Sequence, residues 1–117
     1  MKTHDERRKK PRAEATMDLR FDVAGRSGLA HVRDISGSGV RCMTDRPMPL
    51  MTQVALVIQL PSTAGAREIA CRGAVVRSAP AGGDSTFETA IFFTHMSDAD
   101  RLRVEEFVSS VGQSRGR

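Results

Sequence analysis

The sequence predicts a small, mainly antiparallel β barrel or sandwich closed by one C-terminal helix. Three observations support that class. Six strand-like segments follow one another, divided by glycine- and proline-rich turns. Only the last segment changes from a two-residue to a 3.6-residue hydrophobic period. The chain has 117 residues, 39% hydrophobic and 27% charged, which suits one modest core with short tails.

Residues 1–13 are too polar to bury a face, and Pro11 blocks a regular helix, so they read as a flexible basic arm. Met17, Leu19, Phe21 and Val23 then alternate with charged residues, as a half-buried strand requires. Ala24 to Gly28 supply a turn. Leu29 to Ile35 return as a second strand with weaker alternation. The run Ser36 to Gly39 breaks that strand and leads into Val40-Arg41-Cys42-Met43. Pro47 and Pro49 make Asp45 to Pro49 a loop. Val54, Leu56, Ile58 and Leu60 mark a strongly apolar strand that Pro61 ends. A hairpin loop over Ser62 to Ala66 leads into a strand from Ile69 to Arg77. A turn over Pro80 to Asp84 leads to the last strand, Phe87 to Thr94.

Ser97-Asp98-Ala99-Asp100 is a helix start: a serine N-cap, early acids and an acid three residues after the cap. Val104, Phe107, Val108 and Val111 recur at helical spacing. The helix is expected from about Asp98 to Val111, stopped near Gly112. The folded domain is then residues 14–112, with a frayed, disordered tail at 113–117.

Charge is unevenly placed. Residues 1–12 hold six basic and two acidic side chains and the remainder twelve of each, so the whole formal charge of +4 lies in the arm. A neutral body with a basic arm calls for an anionic partner. No apolar run approaches the roughly 20 residues that span a bilayer, and the basic N-terminus has no apolar segment behind it. No membrane insertion and a cytoplasmic location are expected. Cys42 and Cys71 stand apart in apolar stretches and read as buried thiols. His4, His31 and His95 have no ligand spacing, so no metal or cofactor is expected. Nor can a nucleophile, base and orienting group be assembled, so an enzyme is the least favoured class.

Two motifs about twenty residues apart carry chemistry. The first is Arg7-Arg8-Lys9-Lys10-Pro11-Arg12. Guanidinium forks bind phosphate oxygens bidentately, reach the O6 and N7 acceptors of guanine, and stack on purines. Alone, such a hexapeptide also fits a solvated tail. The second is Asp34-Ile35-Ser36-Gly37-Ser38-Gly39. Asp34 can accept from a guanine N1–H and N2–H₂ edge or hold an arginine. Ser36 offers a hydroxyl to a phosphate or base, and Gly37 and Gly39 let the backbone bend and approach a ligand. Alone, this motif equally fits a polar hairpin turn capped by its own side chains.

Taken together, the motifs resemble those of the PilZ domain family: R-x-x-x-R in a flexible N-terminal segment, then D/N-x-S-x-x-G at a strand end. Arg8 and Arg12 match the first part; Asp34, Ser36 and Gly39 match the second. The resemblance extends over nearly the whole chain, through Gly73 to Arg77 and the phenylalanine-ended last strand. It implies a six-stranded antiparallel β barrel with a C-terminal helix, and binding of the bacterial second messenger cyclic di-GMP. Arg8 and Arg12 would be the main clamps, Arg7 would extend the fork, and Asp34, Ser36 and Gly39 would form the cradle. An arginine before the first motif arginine accompanies a stacked ligand pair in similar proteins, which favours that stoichiometry. Arg77 reads first as an exposed strand arginine, with reach to a second ligand as the alternative, and contact by Arg41 is left open. Ala90 departs from the glycine the family often has at that place. The expected role is a monomeric or weakly dimeric receptor or adaptor whose arm closes over the ligand and changes the surface offered to a protein effector.

Two other readings stand beside it. One is a small basic barrel binding RNA or DNA, disfavoured by the absence of Trp and Tyr and by five Phe mostly in core positions. The other is a PilZ-like module that contacts proteins without binding nucleotide.

Overall fold

The computed structural model describes residues 13–61, 67–82 and 85–115, with side chains described over 17–61, 67–82 and 85–111. Residues 1–12, 62–66, 83–84 and 116–117 lie outside the described residues, and with them the expected arm and part of the expected loops and tail.

Six strands and one helix follow in order: β1 Ala13–Val23, β2 Arg26–Ile35, β3 Gly39–Thr44, β4 Gln53–Leu60, β5 Arg67–Pro80, β6 Phe87–His95 and α1 Asp98–Arg115. The strands close into an antiparallel barrel in the order β1-β2-β3-β6-β5-β4. Closure resolves the choice between barrel and sandwich. The closing seam is short: β1 pairs with β4 only from Leu19 to Asp22, against Ile58 to Ala55.

Alternation fills the barrel. Leu19 and Phe21 of β1, Leu56 and Ile58 of β4, Ile69 of β5 and Ile91 of β6 are fully buried, each contributing about 1.5–3 kcal/mol of apolar transfer. Where polar groups enter, they are paired: the buried hydroxyls of Thr44 and Thr89 bond each other at 3.0 Å, and Thr44 Oγ1 donates to the Arg46 carbonyl at 2.8 Å. Burial pushes the thiols of Cys42 and Cys71 up to about 12, with the Asp100 carboxylate adding to the rise at Cys71. Both cysteines are free and buried, as expected of inert thiols.

The helix starts where the sequence places it. Ser97 Oγ accepts from the Asp100 amide at 3.1 Å, and the Ser97 carbonyl accepts from Arg101 at 2.9 Å. Arg103 bridges back to Asp100 at 2.7 Å. Val104 and Val108 are buried in the core cluster, with Phe107 and Val111 packed against it. The helix does not stop at Gly112 but runs to Arg115. Glycine costs about 1 kcal/mol within a helix, and no proline follows to enforce a stop. Among the described residues, no helix is long and apolar enough to cross a membrane.

β1 also begins earlier than its apolar alternation, at Ala13, because a register shift between Glu14 and Met17 interrupts the period. The β1–β2 turn is tighter than expected. Ala24 (φ 53°) and Gly25 (φ 81°) join Val23 directly to Arg26. Two positive φ values are the mark of a type I′ hairpin turn, matched to strand twist. Asp22 secures it, accepting from the Gly25 amide at 3.1 Å. Alanine is strained in the left-handed region by roughly 1–2 kcal/mol, partly offset by the greater chain entropy glycine loses on folding. Ala24→Gly is expected to raise stability by about 0.5–1 kcal/mol, read as a higher urea midpoint; an unchanged or lower midpoint would count against strain at Ala24.

Candidate functional site

Asp34 lies where two backbone irregularities meet. In β2, Val32 pairs with Cys42 but Asp34 pairs with Arg41, leaving Arg33 as an extra residue. On the other side, Ala15 and Thr16 stand against Arg33, since Glu14 pairs with Asp34 and Met17 with Val32. Strict alternation would send Asp34 inward after Val32. The bulge reverses the parity, so Ile35 enters the core opposite Val40 and Asp34 faces the outer wall beside Arg41. This explains the weak alternation of the second strand.

On that wall Asp34 is nevertheless buried, at 4% exposure, and accepts a charge-assisted bond from the Arg41 guanidinium. Arg41 Nε also lies 3.6 Å from Glu88 Oε2. Of the two roles open to Asp34, that of arginine partner is filled in the described structure. The register continues the row across the barrel: Arg41 pairs with Ala90, and Ala90 with Arg77. Arg41 and Arg77 are both exposed, separated by a small residue and by two strand spacings of about 4.8 Å. Ala90 thus serves as low ground between two cations.

The turn after β2 is built from its own polar groups. Ser36 N donates to the Gly39 carbonyl at 2.9 Å. Ser36 is fully buried, and its hydroxyl accepts from the Ser38 amide at 3.2 Å and lies 3.1 Å from Ser38 Oγ. Ser38, half-buried, carries the more accessible hydroxyl of the two. Its carbonyl accepts from Phe93 N at 2.9 Å, and the Gly37 carbonyl accepts from the Arg101 guanidinium.

The glycines of this turn serve a different purpose from the one expected. Neither Gly37 nor Gly39 has a positive φ. What they lack is room for a Cβ: at Gly39 it would fall 2.5 Å from the Ile91 carbonyl oxygen, and at Gly37 2.7 Å from Glu105 Oε2. The close approach is to β6 and to α1.

Asp34, Ser36 and Gly39 are therefore brought together at one end of β2 and β3. Arg7, Arg8 and Arg12 lie outside the described residues. Ser38, Arg101 and Glu105 were not singled out from the sequence, and Arg41 was only a candidate. Arg41 was within reach, because a four-residue turn over Ser36 to Gly39 sets Arg41 opposite Asp34. Arg101 and Glu105 had no local signal. Phe92 departs from the expected core placement of phenylalanine: it is 53% exposed, between Gly39 and Ala74 in the register. Among the described residues, no group of three His, Cys, Asp or Glu side chains is placed to hold a metal. Chemically, the wall offers a carboxylate, hydroxyls and exposed guanidinium groups, a set suited to recognition of an anionic ligand.

A protein-family model described as the PilZ domain matches residues 6–110. The fold is similar to Bacillus subtilis inhibitor of motility MotI/DgrA, at 16% identity and TM-score 0.86, covering 95% of this chain and 54% of that one. It is similar to the PilZ domain of Escherichia coli YcgR with c-di-GMP, at 14% identity and TM-score 0.66, covering 92% and 93%. It is similar also to the K. pneumonia MrkH–c-di-GMP complex, at 20% identity and TM-score 0.71, covering 95% and 54%. The chain spans about half the length of MotI and MrkH. No curated protein sequence matches it.

Proposed function

The chain belongs to the PilZ domain family, and from that premise we propose that it is a receptor for cyclic di-GMP. The observation that carries this reading is the course of β1. Ala13 pairs with Ile35 and Glu14 with Asp34, so the root of the arm adjoins the Asp34–Gly39 motif. Arg12 is one peptide bond from that root. Arg8 is five residues from Ala13, at most about 18 Å of extended chain. The arginines can thus reach a ligand seated on Asp34 and Ser38, and their mutual repulsion is relieved when its phosphates neutralise them.

Arg8 and Arg12 act as clamps, Arg7 extends the fork, and Asp34, Ser36 and Gly39 form the cradle. Arg41 and Arg77 extend the cationic row along the wall, which supports a stacked pair of ligands. The action is binding with ordering of the arm, not catalysis. The surface so created is read by a protein effector, and the place of action is the cytoplasm.

Calorimetric titration with cyclic di-GMP tests the reading. Saturable binding in the ratio of a stacked pair is expected, and Arg12→Ala should weaken it by about tenfold or more. A one-to-one ratio would sink the pair. Steeply salt-dependent binding with no preference for the dinucleotide over RNA would favour the nucleic-acid reading instead. A protein-contact module without nucleotide is the second reading, favoured by the exposed Leu50, Met51 and Val76 near Arg77. Absence of any heat with the dinucleotide would select it over the receptor.

A further inference from the structure

The turn that carries Ser36 and Gly39 is gripped by the helix. Arg101, in the first turns of α1, donates to the Gly37 carbonyl across 64 residues of sequence. Glu105, one helical turn further, lies against Gly37, where a Cβ would meet its Oε2 at 2.7 Å and its Cγ at 3.0 Å. Residues four apart share one helix face, so the two side chains close on the same peptide. Their base is firm, because Ser97 caps the helix and Val104 and Val108 are buried in the core.

The geometry of one peptide unit gives this contact its meaning. The carbonyl of Gly37 and the amide of Ser38 belong to the same planar group and point in opposite directions. Arg101 holds the carbonyl, and Ser36 Oγ holds the amide at 3.2 Å. With both poles tied, the plane cannot rotate. The next carbonyl, of Ser38, is tied to Phe93 N at 2.9 Å, and the Ser36 amide to the Gly39 carbonyl at 2.9 Å. Arg101 adds a side-chain tie from outside the turn. A binding surface already fixed in its bound shape loses less entropy on association.

We propose that Arg101 is a positioning residue for the cyclic di-GMP site: it sets the affinity by locking the Gly37–Ser38 peptide, with Glu105 packed against the α-carbon, and does not touch the ligand. This rests on the receptor reading. Loss of the guanidinium leaves the Gly37 carbonyl without its charged donor and lets the peptide sample other orientations, of which only a fraction accepts the ligand.

The test compares wild type, Arg101→Ala and Arg101→Lys by calorimetry with cyclic di-GMP and by the amide NMR signals of Gly37, Ser38 and Gly39 in ligand-free protein. Arg101→Ala is expected to bind about tenfold more weakly, with those three signals shifted or broadened and the remaining barrel signals in place. Arg101→Lys, which keeps a charged donor, should recover part of both. Wild-type affinity in Arg101→Ala, or unchanged turn signals, would overturn the proposal. So would signals displaced throughout the barrel, since the effect would then be one of folding. If wild type binds no dinucleotide, the receptor reading fails and this role fails with it, whereas the turn signals still report whether the helix holds the peptide.

Discussion

Asp34→Ala is expected to weaken cyclic di-GMP binding by at least about 100-fold, equivalent to about 2.7 kcal/mol, while the barrel stays folded. In the proposed cradle Asp34 supplies the carboxylate. Its Oδ2 is held by Arg41, so the carboxylate acts on the ligand by fixing that guanidinium on the wall and by any guanine N–H it accepts beside it, each charged hydrogen bond having a net worth of about 1.5–3 kcal/mol. The fold survives because of an asymmetry within the ion pair: the Asp34 side chain is 5% exposed and that of Arg41 is 44% exposed. Removing the carboxylate leaves a guanidinium that water can solvate and Glu88 can still attract. Arg41→Ala does the reverse, taking the guanidinium from a buried carboxylate, and should lower stability by roughly 1–3 kcal/mol more than Asp34→Ala does. Titration and urea unfolding of both variants decide the matter. Unchanged affinity in Asp34→Ala would remove this residue from the site, and equal midpoints would show that burial does not govern the pair.

Gly39→Ala should lower the stability of the fold by about 2–3 kcal/mol, a large effect for one methyl group. The added carbon would fall 2.5 Å from the Ile91 carbonyl oxygen and 3.4 Å from the Phe92 Cα. Those are backbone atoms of the neighbouring strand, so β3 and β6 must part where Gly39 pairs with Phe92. Gly37→Ala is the matched control: its methyl would meet the carboxylate end of Glu105, a side chain that can swing aside. A clearly lower urea midpoint for Gly39→Ala than for Gly37→Ala is expected. Similar midpoints would mean that the β3–β6 contact is slack, and the packing argument would fail.

Much of this fold was legible in the chain itself. Alternation located the six strands because a barrel buries one face of each, and Ser97 located the helix start because an N-cap acts within one turn. What escaped were features that depend on two strands at once. The bulge at Arg33 decides which way Asp34 faces, yet it exists only in register with Ala15, Thr16, Cys42 and Arg41. The weak alternation near Asp34 was its only trace. For the glycines, the residues were identified and the reason was not: the sequence suggests bending, whereas the structure shows missing volume. The grip of Arg101 and Glu105 on Gly37 joins segments more than sixty residues apart, and nothing in a local window reveals it. The helix end is not legible either, because a single glycine at 112 does not stop a helix that runs to Arg115.

The short seam between β1 and β4 has a consequence for how the molecule opens. Among the described residues, β1 is laddered only to β2 from Ala13 to Asp18, and from Leu19 to Asp22 it is held on both sides. The stretch before Met17, whose side chain is buried in the core, is expected to open in a partial, low-energy excursion that leaves the inner part and the sealed core intact. That loosely tied stretch is also the root of the arginine arm. Opening of that stretch and the barrel's global unfolding thus run on separate clocks, and the chain can cycle the one many times without risking the other.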